Sequence, residues 1–94
     1  MTYQEIESKI VAILSKYDVQ KIGIFGSYAK GVQMSDSDLD VLVNFKNVKS
    51  LLTLVRIERE LSESIGVKVD LLTEQSVSPY LIDKIKSELK VIYQ

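Results

Sequence analysis

The strongest constraint on this chain is a pair of hydrophobic runs with polar residues at fixed places between them. Ile22-Gly23-Ile24-Phe25 closes on Gly26-Ser27, and Asp38-Leu39-Asp40 opens into Val41-Leu42-Val43. Both runs carry the β-branched and aromatic side chains that favour strands. Residues two apart on a strand point to the same side. Asp38 and Asp40 therefore present adjacent carboxylates, while Leu39, Val41, Val43 and Phe45 face the other way. Two bare carboxylates that close repel each other and call for a cation. Magnesium suits them, because it takes oxygen ligands and is commonly shared between carboxylates and phosphates. A strand that ends in glycine and turns into a helix start exposes backbone N–H groups suited to an anion. Gly26 allows that anion a close approach. The Ser27 hydroxyl adds a donor, and Lys30, one turn on, adds positive charge. Together these parts suit chemistry on a nucleoside triphosphate.

The rest of the chain supplies a scaffold. Residues 2–17 read as a helix, with Thr2 and Glu5 in capping-box spacing and Ile6, Ile10, Ile13, Leu14 and Tyr17 along one face. A strand follows at 21–25, then one helical turn at 27–30 capped by Ser27, then a polar loop to Ser37. The second strand spans 39–45. A helix at 50–65 carries Leu54, Ile57, Leu61 and Ile65 inward and stops at Gly66. The third strand, 67–72, places Val67, Val69 and Leu71 on one face and Lys68, Asp70 and Leu72 on the other. Ser78-Pro79 reads as a cap and first helical position. The last helix carries Leu81, Ile82, Ile85, Leu89 and Ile92, with an alternative extended ending at 91–93. The expected fold class is α/β (α+β): one domain over residues 1–94, with a small mixed three-stranded sheet flanked by helices. If the third strand lies beside the second, Asp70 joins Asp38 and Asp40 from the same face. Three carboxylates can hold two metals, and Asp70 is the candidate general base.

Composition removes several alternatives. The chain has 94 residues and contains neither cysteine nor histidine. That excludes disulfides, thiol chemistry, zinc held by cysteine or histidine, and histidine-based triads. A net charge of −1 argues against a general nucleic-acid coat, which needs a basic face. No signal-peptide pattern opens the sequence and no apolar stretch is long enough to span a bilayer, so the cytoplasm is the default location.

At these residues the chain resembles the minimal nucleotidyltransferases of the DNA polymerase β-like superfamily. The pattern is Gly-Ser, ten residues, then Asp-x-Asp: Gly26-Ser27, Tyr28 through Ser37, then Asp38-Leu39-Asp40. Val67-Lys68-Val69-Asp70-Leu71-Leu72 matches the third carboxylate. Lys30 stands where many relatives carry arginine, which keeps charge but loses the planar fork. Each part alone is common, since a Gly-Ser pair is usually only a turn. Chance would supply the four fixed positions in about one chain in a thousand of this length. The resemblance implies the nucleotidyltransferase fold, with Asp38, Asp40 and Asp70 as catalytic and metal-binding residues and Gly26, Ser27 and Lys30 as nucleotide-binding ones. It implies magnesium, two ions in all, and transfer of a nucleoside monophosphate, AMP from ATP, to a hydroxyl. Many such proteins are antitoxins paired with an all-helical HEPN-domain ribonuclease toxin, whose tyrosine receives the AMP. The absence of a second, substrate-holding domain in these 94 residues points to a partner protein as the bearer of the acceptor. Two other readings stay open: an antitoxin that neutralises its partner by covering it without catalysis, and a transferase acting on a small molecule such as an aminoglycoside. Apolar stripes run along three helices, with Tyr80 and Tyr93 flanking the last; either all three pack on the one sheet, or some apolar surface is left over as an interface.

Overall fold

A computed structural model describes residues 1–94. Its elements run α1 (Tyr3–Leu14), β1 (Val19–Phe25), α2 (Ser27–Lys30), β2 (Leu39–Phe45), α3 (Leu51–Ile65), β3 (Val69–Thr73), α4 (Pro79–Glu88) and β4 (Lys90–Tyr93). The strands form one mixed sheet in the order β3-β2-β1-β4. β1 runs antiparallel to both β2 and β4, and β2 runs parallel to β3. A parallel pair needs a crossover, and α3 supplies it.

The core forms because two periodicities agree. Period-two alternation puts Ile22, Ile24, Leu39, Val41, Val43, Val69 and Leu71 on one face of the sheet. Helical spacing brings Ile6, Ile10 and Leu14 of α1 and Ile57, Leu61 and Ile65 of α3 onto that face. Thr2 caps α1 in the expected box with Glu5. The first helix is shorter than its apolar spacing suggests. α1 stops at Leu14, a 3₁₀ turn covers Ser15–Tyr17, and Asp18 takes a left-handed backbone (φ 58°) that turns the chain into β1 at Val19.

The sheet has four strands rather than the expected three. α4 ends at Glu88, and Leu89 is extended (ψ 128°). Lys90, Val91 and Tyr93 then pair with Ile24, Gly23 and Ile22 along the edge of β1 that β2 leaves free. Leu89 and Ile92 therefore leave the helical stripe. An unpaired β1 edge would expose a row of backbone donors and acceptors, and β4 covers it. Close packing here depends on Gly23: a Cβ at that position would lie 2.5 Å from Leu89 Cδ1.

The opposite edge is closed by side chains. β3 offers outward N–H groups at Val69 and Leu71. The Ser62 hydroxyl accepts from Val69 at 2.9 Å, and the Glu58 carboxylate accepts from Leu71 at 2.8 Å. Glu58 and Ser62 lie one turn apart on α3, beside its inner stripe. They fix β3 on both sides of Asp70.

Candidate active site

The site lies where three strands bring their ends together. Phe25 of β1 pairs with Asp40 of β2, and Asp40 pairs in parallel with Asp70 of β3. The expected adjacency of the third strand and the second is thus met, and in register. Neighbouring strands lie about 5 Å apart, so the two carboxylates start from adjacent positions on one face. Asp38 precedes Asp40 by two residues and shares its side. This face is opposite the helical core.

Gly26 follows Phe25 at the same corner. Its backbone (φ 75°, ψ −152°) is one that side chains exclude. Space excludes a side chain too, since a Cβ there would lie 2.3 Å from Asp40 Oδ2. The carboxylate of Asp40 therefore rests directly over the glycine backbone. Gly26, not Ser27, occupies the cap position of α2, and no side chain caps the turn. The sequence expectation of a Ser27 cap fails because the glycine's conformation closes the strand and starts the helix in one step. Ser27 is already helical, so its hydroxyl is not spent on capping. The first N–H groups of α2 have no partner within the helix.

Burial first, and then the charges of Asp70 and Asp38, raise the Asp40 pKa above its ordinary 3.8. Asp70 is also raised, by burial first and then by Asp38, with Lys68 opposing. Contact with the Asp38 carboxyl and the charge of Glu58 add to the rise. The cluster is thus short of positive charge. Lys68 is the one basic side chain paired with it, with Nζ 3.7 Å from Asp38 Oδ2 and 3.9 Å from Asp70 Oδ1. An all-carboxylate donor set with raised pKa values fits a hard divalent cation. The side chains do not stand ready as a cage, because no three acidic groups surround a common point.

Lys30 is placed less directly than expected. Its Nζ pairs with Glu88 Oε1 at 3.2 Å. The side chain also borders a hollow of about 190 Å³ beneath α2, together with Tyr3, Ile6, Tyr28 and Leu39. Neither that hollow nor those of about 360, 480 and 580 Å³ elsewhere on the molecule have any of the three aspartates among their walls. Asp38 and Asp70 are each 39% exposed, so the cluster sits on an open shelf. Sequence reasoning did not single out Glu58, Ser62 or Lys68 for the site. The first two show only an ordinary i,i+4 spacing, and Lys68 is visible only as a strand residue sharing a face with Asp70.

A strand-closing glycine, a helical turn and carboxylates on two parallel strands meet at one corner of a mixed sheet, the arrangement that the sequence resemblance implies for a nucleotidyltransferase. Comparison with known proteins agrees: the nucleotidyltransferase domain matches residues 7–92, and the chain belongs to that family. It is a nucleotidyltransferase. A chain from Methanocaldococcus jannaschii, provisionally named a protein adenylyltransferase, is 49% identical over 88 residues. That match covers 94% of this chain and 95% of the relative. The protein adenylyltransferase MntA of Thermococcus cleftensis is 38% identical over 81 residues, with 82% of each chain covered. Among solved structures, a toxin–antitoxin complex with AMP-PNP superposes with a TM-score of 0.86 at 27% identity. The match covers 93% of this chain and 72% of that one.

Proposed function

We propose that this chain transfers AMP from ATP to a hydroxyl of a partner protein, and that it is the antitoxin of a toxin–antitoxin pair. The single observation that carries the reading is the parallel register of Asp40 and Asp70 beside the Gly26 backbone. Relatives named as protein adenylyltransferases support the acceptor class. The structural likeness to a toxin–antitoxin complex holding an ATP analogue supports the pairing. From the family resemblance, the partner is a helical HEPN-type ribonuclease toxin, and the acceptor is its tyrosine.

Each residue has a role in this reading. Asp38, Asp40 and Asp70 hold Mg²⁺, two ions in the full arrangement. When bound, the metal supplies charge neutralisation for the triphosphate and a lowered pKa for the acceptor hydroxyl. Gly26 and Ser27 hold a phosphate through backbone N–H groups and the free hydroxyl. Lys30 reaches the phosphates by leaving Glu88. The acceptor oxygen attacks the α-phosphorus, the bond from that phosphorus to the α,β-bridging oxygen breaks, and pyrophosphate leaves with its electron pair. The hydroxyl proton passes to the Asp70 carboxylate. The open shelf leaves the acceptor to be brought in by another molecule.

The test is to incubate the chain with α-labelled ATP, Mg²⁺ and the helical protein encoded beside it. Label on the partner, lost in Asp38→Asn, is expected. No transfer, or equal transfer by that variant, contradicts the proposal. One observation favours a contribution from binding alone: Leu51 and Leu52 of α3 are 76% and 80% exposed. If neutralisation is by cover, a chain with all three aspartates replaced still protects cells from the toxin. No helix is long and apolar enough to cross a membrane, and an ATP-dependent reaction on a ribonuclease belongs in the cytoplasm.

A further inference from the structure

We propose that Lys68 is a tethered counter-cation for the acidic cluster. In the nucleotide-free protein its ammonium sits between Asp38 and Asp70, and a divalent cation binds there only as Lys68 swings away. The inference rests on the reading of the three aspartates as a cation site.

Three observations carry it. The first is placement. The β2–β3 register begins at Leu39 and Val69, and the Leu39 N–H donates to the Lys68 carbonyl at 2.8 Å. Lys68 is thereby fixed beside Asp38 across the strands, and alternation points it to the same side as Asp70. The second is that one ammonium serves two acids on different strands, at 3.7 and 3.9 Å, and no other basic side chain pairs with the trio. Asp40, the deepest of the three, has no basic partner. The third is the state of the cluster: three acids neighbour one another by register, yet they do not surround a common point.

The device must be easily reversed, and the structure makes it so. The Lys68 side chain is 70% exposed, and exposed pairs of this length are weak. A dication facing three carboxylates outcompetes one ammonium on a flexible stem. Lys68 would limit repulsion in the empty site and lower its affinity for free cations. Tight cation binding would then depend on the extra negative charge of the triphosphate, so that metal and nucleotide arrive together.

The experiment uses the full chain without nucleotide. Mg²⁺ and Mn²⁺ are titrated by calorimetry into wild type, Lys68→Met, which keeps the aliphatic stem, and Lys68→Arg. Lys68→Met is expected to bind about two- to tenfold more tightly, and Lys68→Arg no more tightly than wild type. In a second measurement, lysines carry ¹³C-methyl labels, and the Lys68 NMR signal is assigned by its loss in a variant. That signal is expected to move during Mg²⁺ titration with the binding midpoint. The Lys9 signal stays fixed, because Lys9 Nζ lies on the Ser64 carbonyl, away from the cluster. Equal or weaker binding by Lys68→Met, or a stationary Lys68 signal while the cation binds, overturns the proposal. If Lys68→Met does not fold, Lys68→Arg and the NMR titration decide it. A wild-type chain that binds neither cation overturns the cation site itself.

Discussion

Two residues at the corner of the sheet are held against ordinary stability preferences. Gly26 occupies a backbone region that only glycine enters without cost, directly under the Asp40 carboxylate. Gly26→Ala is expected to lose about 2–4 kcal/mol in denaturant unfolding, since conformational strain and a clash with a charged group combine. Gly31 also has positive φ, but an added Cβ there meets nothing within 4 Å. Gly31→Ala should cost only about 1 kcal/mol in the same measurement. Asp40 provides the converse case. Its pKa is raised on folding, so the folded protein prefers the protonated form. The resulting destabilisation is absent well below pH 3.8 and grows as pH rises through the raised value. Asp40→Asn should therefore melt slightly higher than wild type at neutral pH, by no more than about 1 kcal/mol after solvent screening. The difference should close on acidification. The same variant should lose transferase activity, the usual relation when a site is built against stability.

Elements decide where the side chains of the acidic cluster point. β3 is an edge strand, and Glu58 and Ser62 of α3 occupy its outward N–H groups on each side of Asp70. Glu58→Ala leaves the Leu71 N–H without its partner. The expected loss is about 1–2 kcal/mol, near 5–15 °C in melting temperature for a domain this small. Transfer activity should fall further than stability alone explains, because Asp70 loses its fixed register. A second link joins the 3₁₀ turn after α1 to α3. Lys16 and Tyr17 both donate to Glu60, Tyr17 at 2.8 Å. The Lys16 hydrogen bond first, then that of Tyr17, lowers the Glu60 pKa below 4.5. The stability this contributes is present above 4.5 and is lost as pH falls through the lowered value. Glu60→Gln should therefore flatten that part of the acid limb in melts taken between about pH 5 and 3.

Alternation was enough to place Asp38 and Asp40 on one face, because a strand has only two faces, whereas Asp70 joins them only through the parallel pairing of β3 with β2. The helical stripes of α1 and α3 were readable for the same reason. β4 was harder: Leu89 and Ile92 fit the helical spacing of α4, and only the free edge of β1 gives residues 90–93 a reason to extend. The Ser27 cap failed because capping depends on the φ and ψ of Gly26, which no spacing rule reports. Glu58 and Ser62 were hidden because their partners are backbone N–H groups of β3, which depend on how α3 packs along that strand, and Lys68 because its contact with Asp38 needs the pairing of β2 with β3.

On the scale of the whole molecule, one face of the sheet builds the core and the other carries the chemistry. α1 and α3 bury Ile10, Leu14, Ile57 and Leu61 completely on one face; on the other, Leu89 packs over Gly23 and Leu42 is buried, and the exposed part is the corner that holds Asp38 and Asp70. Tyr80 of α4 is 94% exposed and Tyr93 of β4 also reaches the surface. Further exposed apolar side chains gather around the start of α3, at Val48, Leu51, Leu52 and Val55, and near the N-terminus and α2, at Met1, Val32 and Met34. An open acidic shelf with apolar surface elsewhere suits a transferase whose acceptor is held by a second protein. The central claim is that Asp38, Asp40 and Asp70 jointly bind the cation that accompanies the triphosphate. Its most direct test is a crystal of the chain grown with a non-hydrolysable ATP analogue and Mn²⁺, with anomalous scattering recorded at the manganese edge. The expected result is a peak about 2–2.5 Å from carboxylate oxygens of Asp38 and Asp40, with Asp70 turned to the same centre and phosphate oxygens completing the shell. Bound nucleotide with no anomalous peak at that corner, or a peak ignored by the aspartates, would contradict the claim.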